Sequence, residues 1–76
     1  MQKSNQEITK AHNQQLALSL IYSQGAVSRA ELARQTGLTR STISEIVSEL
    51  IEEGLVVEVG RAQSSGGKPP ILIDVN

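Results

Sequence analysis

The sequence predicts a mostly α-helical chain ending in a small β-hairpin: three helices, then an antiparallel sheet of two or three strands. Three observations predict it. Residues 28–37 and 39–54 each open on a hydroxyl residue suited to capping a helix and close on glycine. Within the second stretch Ile43, Ile46, Val47, Leu50 and Ile51 recur at i, i+3, i+4, i+7 and i+8, one stripe of a helix. After Gly54 the apolar pattern becomes alternating, and two such runs flank a loop rich in Gly, Ser and Pro.

The first helix is expected over residues 5–24. Ser4 and Glu7 form a possible capping box, Leu16, Leu20 and Ile21 an inward stripe flanked by Leu18 and Tyr22, and Gly25 an end. Residues 1–7 are polar and are expected to fray. Ala26 and Val27 read as a short extended piece, a minor third strand. The second helix is expected over 29–36. Ser28 caps it, and Glu31 three residues on completes a capping box. Leu32 and Ala33 face inward with Ala30 beside them, and Gly37 supplies the positive φ of the turn. Leu38 plugs that turn. Thr39 caps a third helix that runs to Glu53, where Gly54 stops it. Ala33 is small where two helix backbones must cross. Leu55, Val57 and Val59 then alternate with Val56 and Glu58, and Ile71, Leu72, Ile73 and Val75 follow the loop GRAQSSGGKPP of residues 60–70. Two helices joined by a tight turn make a helix-turn-helix; with a hairpin over residues 55–75 directly behind it, the architecture is a winged helix.

The third helix carries Thr39, Arg40, Ser41, Ser44, Glu45 and Ser48 opposite its apolar stripe, with Thr42 also in its first turn. Ser and Thr compete for backbone hydrogen bonds and are mediocre helix formers, so stability alone would favour Lys, Glu or Ala there. A hydroxyl-lined face suits donation to phosphates and base edges in a DNA major groove. Arg40 is the expected base reader. Thr39, Ser41, Ser44 and Ser48 would share base and phosphate contacts, while Ser28, Arg29, Arg34, Arg61 and Lys68 would serve mainly the backbone. Gly66 and Gly67 would let the loop approach DNA closely, either on the phosphates or in the minor groove.

The net charge of −1 runs against the basic footprint usual for such a partner. Its distribution answers part of that: Arg29, Arg34 and Arg40 stand against Glu31 alone over residues 28–44, and the acids gather at Glu45, Glu49, Glu52, Glu53 and Glu58. Those acids motivate an alternative, a winged helix used for protein interaction. Enzymatic chemistry finds little support. His12 is the only histidine, and no nucleophile–base pair or metal-ligand spacing appears. A phosphate-binding loop ending at Lys68 would need glycine where Ala62 stands and Ser or Thr where Pro69 stands. We therefore expect no cofactor and no metal. The absence of cysteine fits a reducing cytosol, and no apolar run approaches membrane-spanning length.

Asn13 before LALSLI, then SRAELARQTGLTRSTIS, ELIEEGLVVEVG, SSGGKPP and ILIDVN, in this order over residues 12–76, resemble the N-terminal domain of the ROK family of bacterial regulators. The resemblance implies a winged helix fused to a sugar-kinase-like domain that senses a sugar or sugar phosphate. It also implies a regulator, commonly a repressor, acting as a homo-oligomer on A/T-rich inverted repeats near sugar-catabolism genes. On that view this chain lacks the effector-binding domain, and its recognition helix begins at Thr39. Two departures stand out. The wing reads Gly66, Gly67, Lys68, Pro69, Pro70 where the family often has Gly-Gly-Arg-Arg-Pro, and lysine lacks the planar fork that reads bases. Residue 26 is Ala where Pro is frequent.

Overall fold

Aliphatic side chains from three helices and three strands meet in one core. The structure is a computed structural model that describes residues 5–61 and 69–76, with side-chain surroundings from residue 9 onward. Ser4, and hence its capping box with Glu7, lies outside the described residues, as do Gly66, Gly67 and Lys68. The elements run α1 (Asn5–Gln24), β1 (Val27–Ser28), α2 (Arg29–Thr36), α3 (Arg40–Glu52), β2 (Val56–Arg61) and β3 (Ile71–Val75). The expected fold class, three helices with a small antiparallel sheet, is the one observed. The sheet has three strands in the order β1-β3-β2, so the last strand is central. The minor strand is shifted by one residue from expectation: Val27 and Ser28, not Ala26, pair with Ile73 and Leu72.

Local chemistry sets the helix ends. The Ser28 hydroxyl accepts from the Glu31 amide at 3.1 Å, which opens α2. The reciprocal half of the capping box is missing, because the Glu31 carboxylate is taken by Arg34 and Gln35 instead. Gly37 closes α2 at φ 76°, its amide donating to the Ala33 carbonyl. Thr39 opens α3 in the same manner, accepting from the Thr42 amide at 3.1 Å. The end of α3 is a Schellman turn: Gly54 donates to Ile51 and Leu55 to Leu50. Asn76 then ties the end of β3 to this turn through the carbonyls of Leu55 and Gly54.

The core holds Ala17 and Ile21 of α1, Leu32 and Ala33 of α2, and Ile43, Ile46, Val47 and Leu50 of α3, closed by Val27, Val56 and Ile73 from the three strands. Three expectations need correction. In α1 the buried pair is Ala17 and Ile21, while Leu16 and Leu20 are half-buried and Tyr22 is 77% exposed. Ala30 lies exposed on α2 rather than beside Leu32. In β2 the phase is opposite to the apolar count: Val56 is buried, and Leu55 and Val59 are exposed. The Schellman turn and the pairing Val56↔Val75 fix that phase. A bulge between Glu58 and Gly60 leaves Val59 without a partner on β3. Among the described residues no polar or charged side chain is buried, so every group capable of recognition stands at the surface.

Candidate nucleic-acid interface

The buried stripe of α3 fixes which side chains face outward. Turning about 100° per residue, Ser41 and Ser48 lie opposite Ile43, Ile46, Val47 and Leu50, with Ser44 on one side of them and Glu45 on the other. These four are exposed, as is Glu52 at the C-terminal end of the same face. Among the described residues the hydroxyls of Ser41, Ser44 and Ser48 form no hydrogen bond to a protein group and remain available to donate. The first turn adds to this. Its cap occupies the Thr42 amide, and Ile43 bonds back to the Thr39 carbonyl at 3.0 Å. The amides of Arg40 and Ser41 keep no intrahelical acceptor, and the helix dipole makes this end attractive to anions.

Thr39 and Thr42 are engaged with each other. The Thr39 hydroxyl donates to that of Thr42 at 3.0 Å while accepting from its amide. Their first role is to hold the start of α3. Thr42 is half-buried and turns toward α1, lining a groove with Lys10, Asn13 and Glu49. Lys10 and Gln14 of α1 both reach the Glu49 carboxylate across this groove, Lys10 at 2.9 Å. The hydrogen bond from Lys10, more than its charge, holds the Glu49 carboxyl below the usual carboxylate range, and the same bond raises Lys10.

Arg40 leaves α3 on the flank away from α1, and there the fold assembles a cleft. Arg29 from the start of α2, Arg40 from the start of α3 and Arg61 from the wing line it together, with Ala30, Pro69 and Pro70. The three arginines differ in state. Arg29, with a side chain 24% exposed, donates to the Glu58 carboxylate at 3.1 Å, so its charge is partly compensated. Arg61 donates to the Pro69 carbonyl at 3.1 Å, which pins it beside the wing loop with its charge unopposed by that bond. Arg40 is exposed and makes no ion pair with a described residue. Arg34 lies elsewhere, exposed on α2 and ion-paired with Glu31; its hydrogen bond, followed by one from Gln35, lowers the Glu31 carboxyl.

The structure thus brings Arg29, Arg40 and Arg61 together beside the serine face and leaves Arg34 outside that cleft. Sequence reading missed Glu58 as the partner of Arg29 and Ala30, Pro69 and Pro70 as cleft walls. The signal for Glu58 was its position as the lone acid of β2, but the pairing spans 29 residues and depends on how the sheet packs beside α2. Among the described residues no three His, Asp or Glu side chains are grouped to hold a metal ion, and no helix is long and apolar enough to cross a membrane.

Comparison with known proteins places the chain among DNA-binding regulators. The chain is 42% identical over its full length to the xylose repressor of Bacillus spizizenii, covering 20% of that protein. It is 35% identical over 72 residues, 95% of the chain, to the DNA-binding transcriptional dual regulator NagC of Escherichia coli K12, covering 18% of it. The chain therefore spans about a fifth of the length of these curated relatives, which are repressors of the ROK family. In fold it is similar to a MarR family regulator from Neisseria meningitidis, with a TM-score of 0.66 at 14% identity, over the whole of this chain and 63% of that one. The family model for winged helix-turn-helix DNA-binding domains matches residues 10–57, from α1 into β2. With its caps, its open serine face and its match to that model, the chain belongs to the winged helix-turn-helix DNA-binding family.

Proposed function

We propose that this chain is the sequence-specific DNA-binding module of a bacterial transcriptional repressor of sugar-utilisation genes. The observation that carries this reading is the convergence of Arg29, Arg40 and Arg61 on one cleft beside the hydroxyls of Ser41, Ser44 and Ser48, which bond to no described residue. In this reading α3, capped by Thr39, enters the major groove by its N-terminal end. Arg40 reads a base, and Ser41, Ser44 and Ser48 divide their bonds between base edges and phosphates. Ser28, Arg29, Arg34, Arg61, Lys68 and the glycines 66 and 67 hold the backbone, with Thr39 and Thr42 presenting the first turn. The names of the relatives support a sugar-linked repressor. The domain layout of the ROK family supports a cytoplasmic homo-oligomer that binds an A/T-rich inverted repeat and senses its sugar through a separate kinase-like domain. No catalytic step is assigned to the chain. The alternative of a protein-interaction module is weakened because Glu49, part of the acidic face that motivated it, is engaged with Lys10 and Gln14.

The test is selection of binding sites from a random duplex pool, by the wild-type chain and by Arg40→Ala. A bidentate arginine–guanine pair discriminates by about 1–3 kcal/mol. The wild type is expected to enrich one half-site, and Arg40→Ala to lose preference at one base pair while keeping the rest. Equal weakening on selected and random DNA would make Arg40 a phosphate contact. Absence of any enriched sequence would refute sequence-specific reading by this chain.

A further inference from the structure

An acid on the outward face of a helix that meets DNA needs a physical reason, and Glu45 has one. Glu31 is paired with Arg34, Glu49 with Lys10 and Glu58 with Arg29. Glu45 is exposed, and no described residue bonds to it; it lines the groove with Lys10, whose hydrogen bond goes to Glu49 and whose charge Glu45 feels only as the lesser neighbour. Ser41 stands one turn before Glu45 and Ser48 three residues after, on the same outward surface. It is five residues from Arg40, about 7.5 Å along the helix axis, and on the opposite edge of the serine face. A carboxylate held there gains nothing from phosphates, which repel it. What it can accept is a hydrogen from an exocyclic amine on the groove floor, and the major groove offers two, cytosine N4 and adenine N6. Adenine sets the N7 lone pair beside its amine, and that lone pair repels a carboxylate. Cytosine presents its amine with no acceptor from the same base at its side.

We infer that Glu45 is a specificity-determining residue that reads a cytosine amine, one or two base-pair steps from the pair read by Arg40. The inference rests on the proposed entry of α3 into the major groove. It gives α3 one charged reader of each sign, with the serines between them, and makes Glu45 the element that rejects unsuitable DNA by leaving an unpaired carboxylate against it.

The experiment is parallel site selection at moderate salt with the wild-type 76-residue chain, Glu45→Ala and Glu45→Gln. The wild-type pool is expected to fix a cytosine that the Glu45→Ala pool leaves free, the other positions being unchanged. Glu45→Gln should shift that position toward adenine, whose N6 and N7 match a carboxamide. Replacing the cytosine in the selected site should weaken the wild type about tenfold and leave Glu45→Ala unaffected. Both variants should bind random duplex more tightly, having lost a negative charge near phosphates. Glu45→Gln is nearly isosteric at an exposed site, so it keeps the test readable if alanine perturbs the helix. Identical pools for all three proteins would overturn the role of Glu45 while leaving the proposed function intact. A wild-type pool without any enriched sequence would overturn that function first, and this inference with it.

Discussion

At the scale of single residues, the turn between α2 and α3 depends on a backbone conformation that only one residue type adopts freely. Gly37 sits at φ 76°, and a Cβ built there would meet no heavy atom within 4 Å. Any cost of substitution therefore comes from the left-handed conformation itself and not from a clash. That conformation costs an L-residue about 1–2 kcal/mol, and asparagine tolerates it better than alanine. Gly37→Ala is expected to lower the stability of the chain by about 1 kcal/mol, read as a lower urea midpoint with unchanged slope, and Gly37→Asn to lower it less. Equal losses for both would point to close packing against the turn. Because this residue sets the angle at which α3 leaves α2, a loss confined to stability, with binding of the folded fraction unchanged, would show that Leu38 and the caps alone hold that angle. Such positions were legible in the sequence. Ser28, Gly37, Thr39 and Gly54 act through bonds to residues no more than five away, so residue type and spacing determine them.

At the scale of elements, the pattern was readable where one face is strongly apolar and failed where a neighbour decides. The stripe of α3 names its own buried face. In α1 the leucines outnumber the side chains that fit, and the close approach of the helices buries the smaller Ala17 instead. In β2 the phase follows the adjacent turn and the pairing with β3, whose partner residues lie 10 to 19 positions away. The ion pairs between elements share that illegibility, and the one joining α1 to α3 has a pH signature. Glu49, bonded by Lys10 and Gln14, has a folded-state carboxyl below the ordinary range, as does Glu31 beside Arg34. A lowered carboxylate contributes stability that is complete above its unfolded value, about 4.3, and is lost as pH falls through the lower folded value. The thermal midpoint is therefore expected to be flat from pH 7 to about 5 and to decline below about 4.3, modestly, because exposed pairs contribute little. Glu49→Gln should make that decline shallower while leaving its position set by Glu31. An acid branch identical to the wild type would mean that the Lys10–Glu49 pair adds nothing to folding.

At the scale of the whole molecule, the puzzle is how a chain of net charge −1 would hold a polyanion. The fold answers by segregation. Glu31 and Glu49 are tied to cations on α2 and α1, away from the cleft, which concentrates Arg29, Arg40 and Arg61 from three different elements. Glu58 compensates Arg29, which on the proposed reading would act as a brake on nonspecific attraction. Each phosphate neutralised contributes about 0.9 to the slope of log affinity against log salt. Arg61→Ala is expected to weaken binding to every duplex alike and to reduce the magnitude of that slope by about one. Glu58→Gln should act in the opposite sense, because Arg29 is then free to meet a phosphate: random duplex binds more tightly, the slope steepens by up to about one, and the ratio of selected to random affinity falls. The measurement is affinity on selected and random duplexes across a salt series. A slope unmoved by Arg61→Ala would place the wing off the DNA. A Glu58→Gln variant that binds as the wild type does would mean that Arg29 supports the wing strand from α2 and contributes no contact of its own.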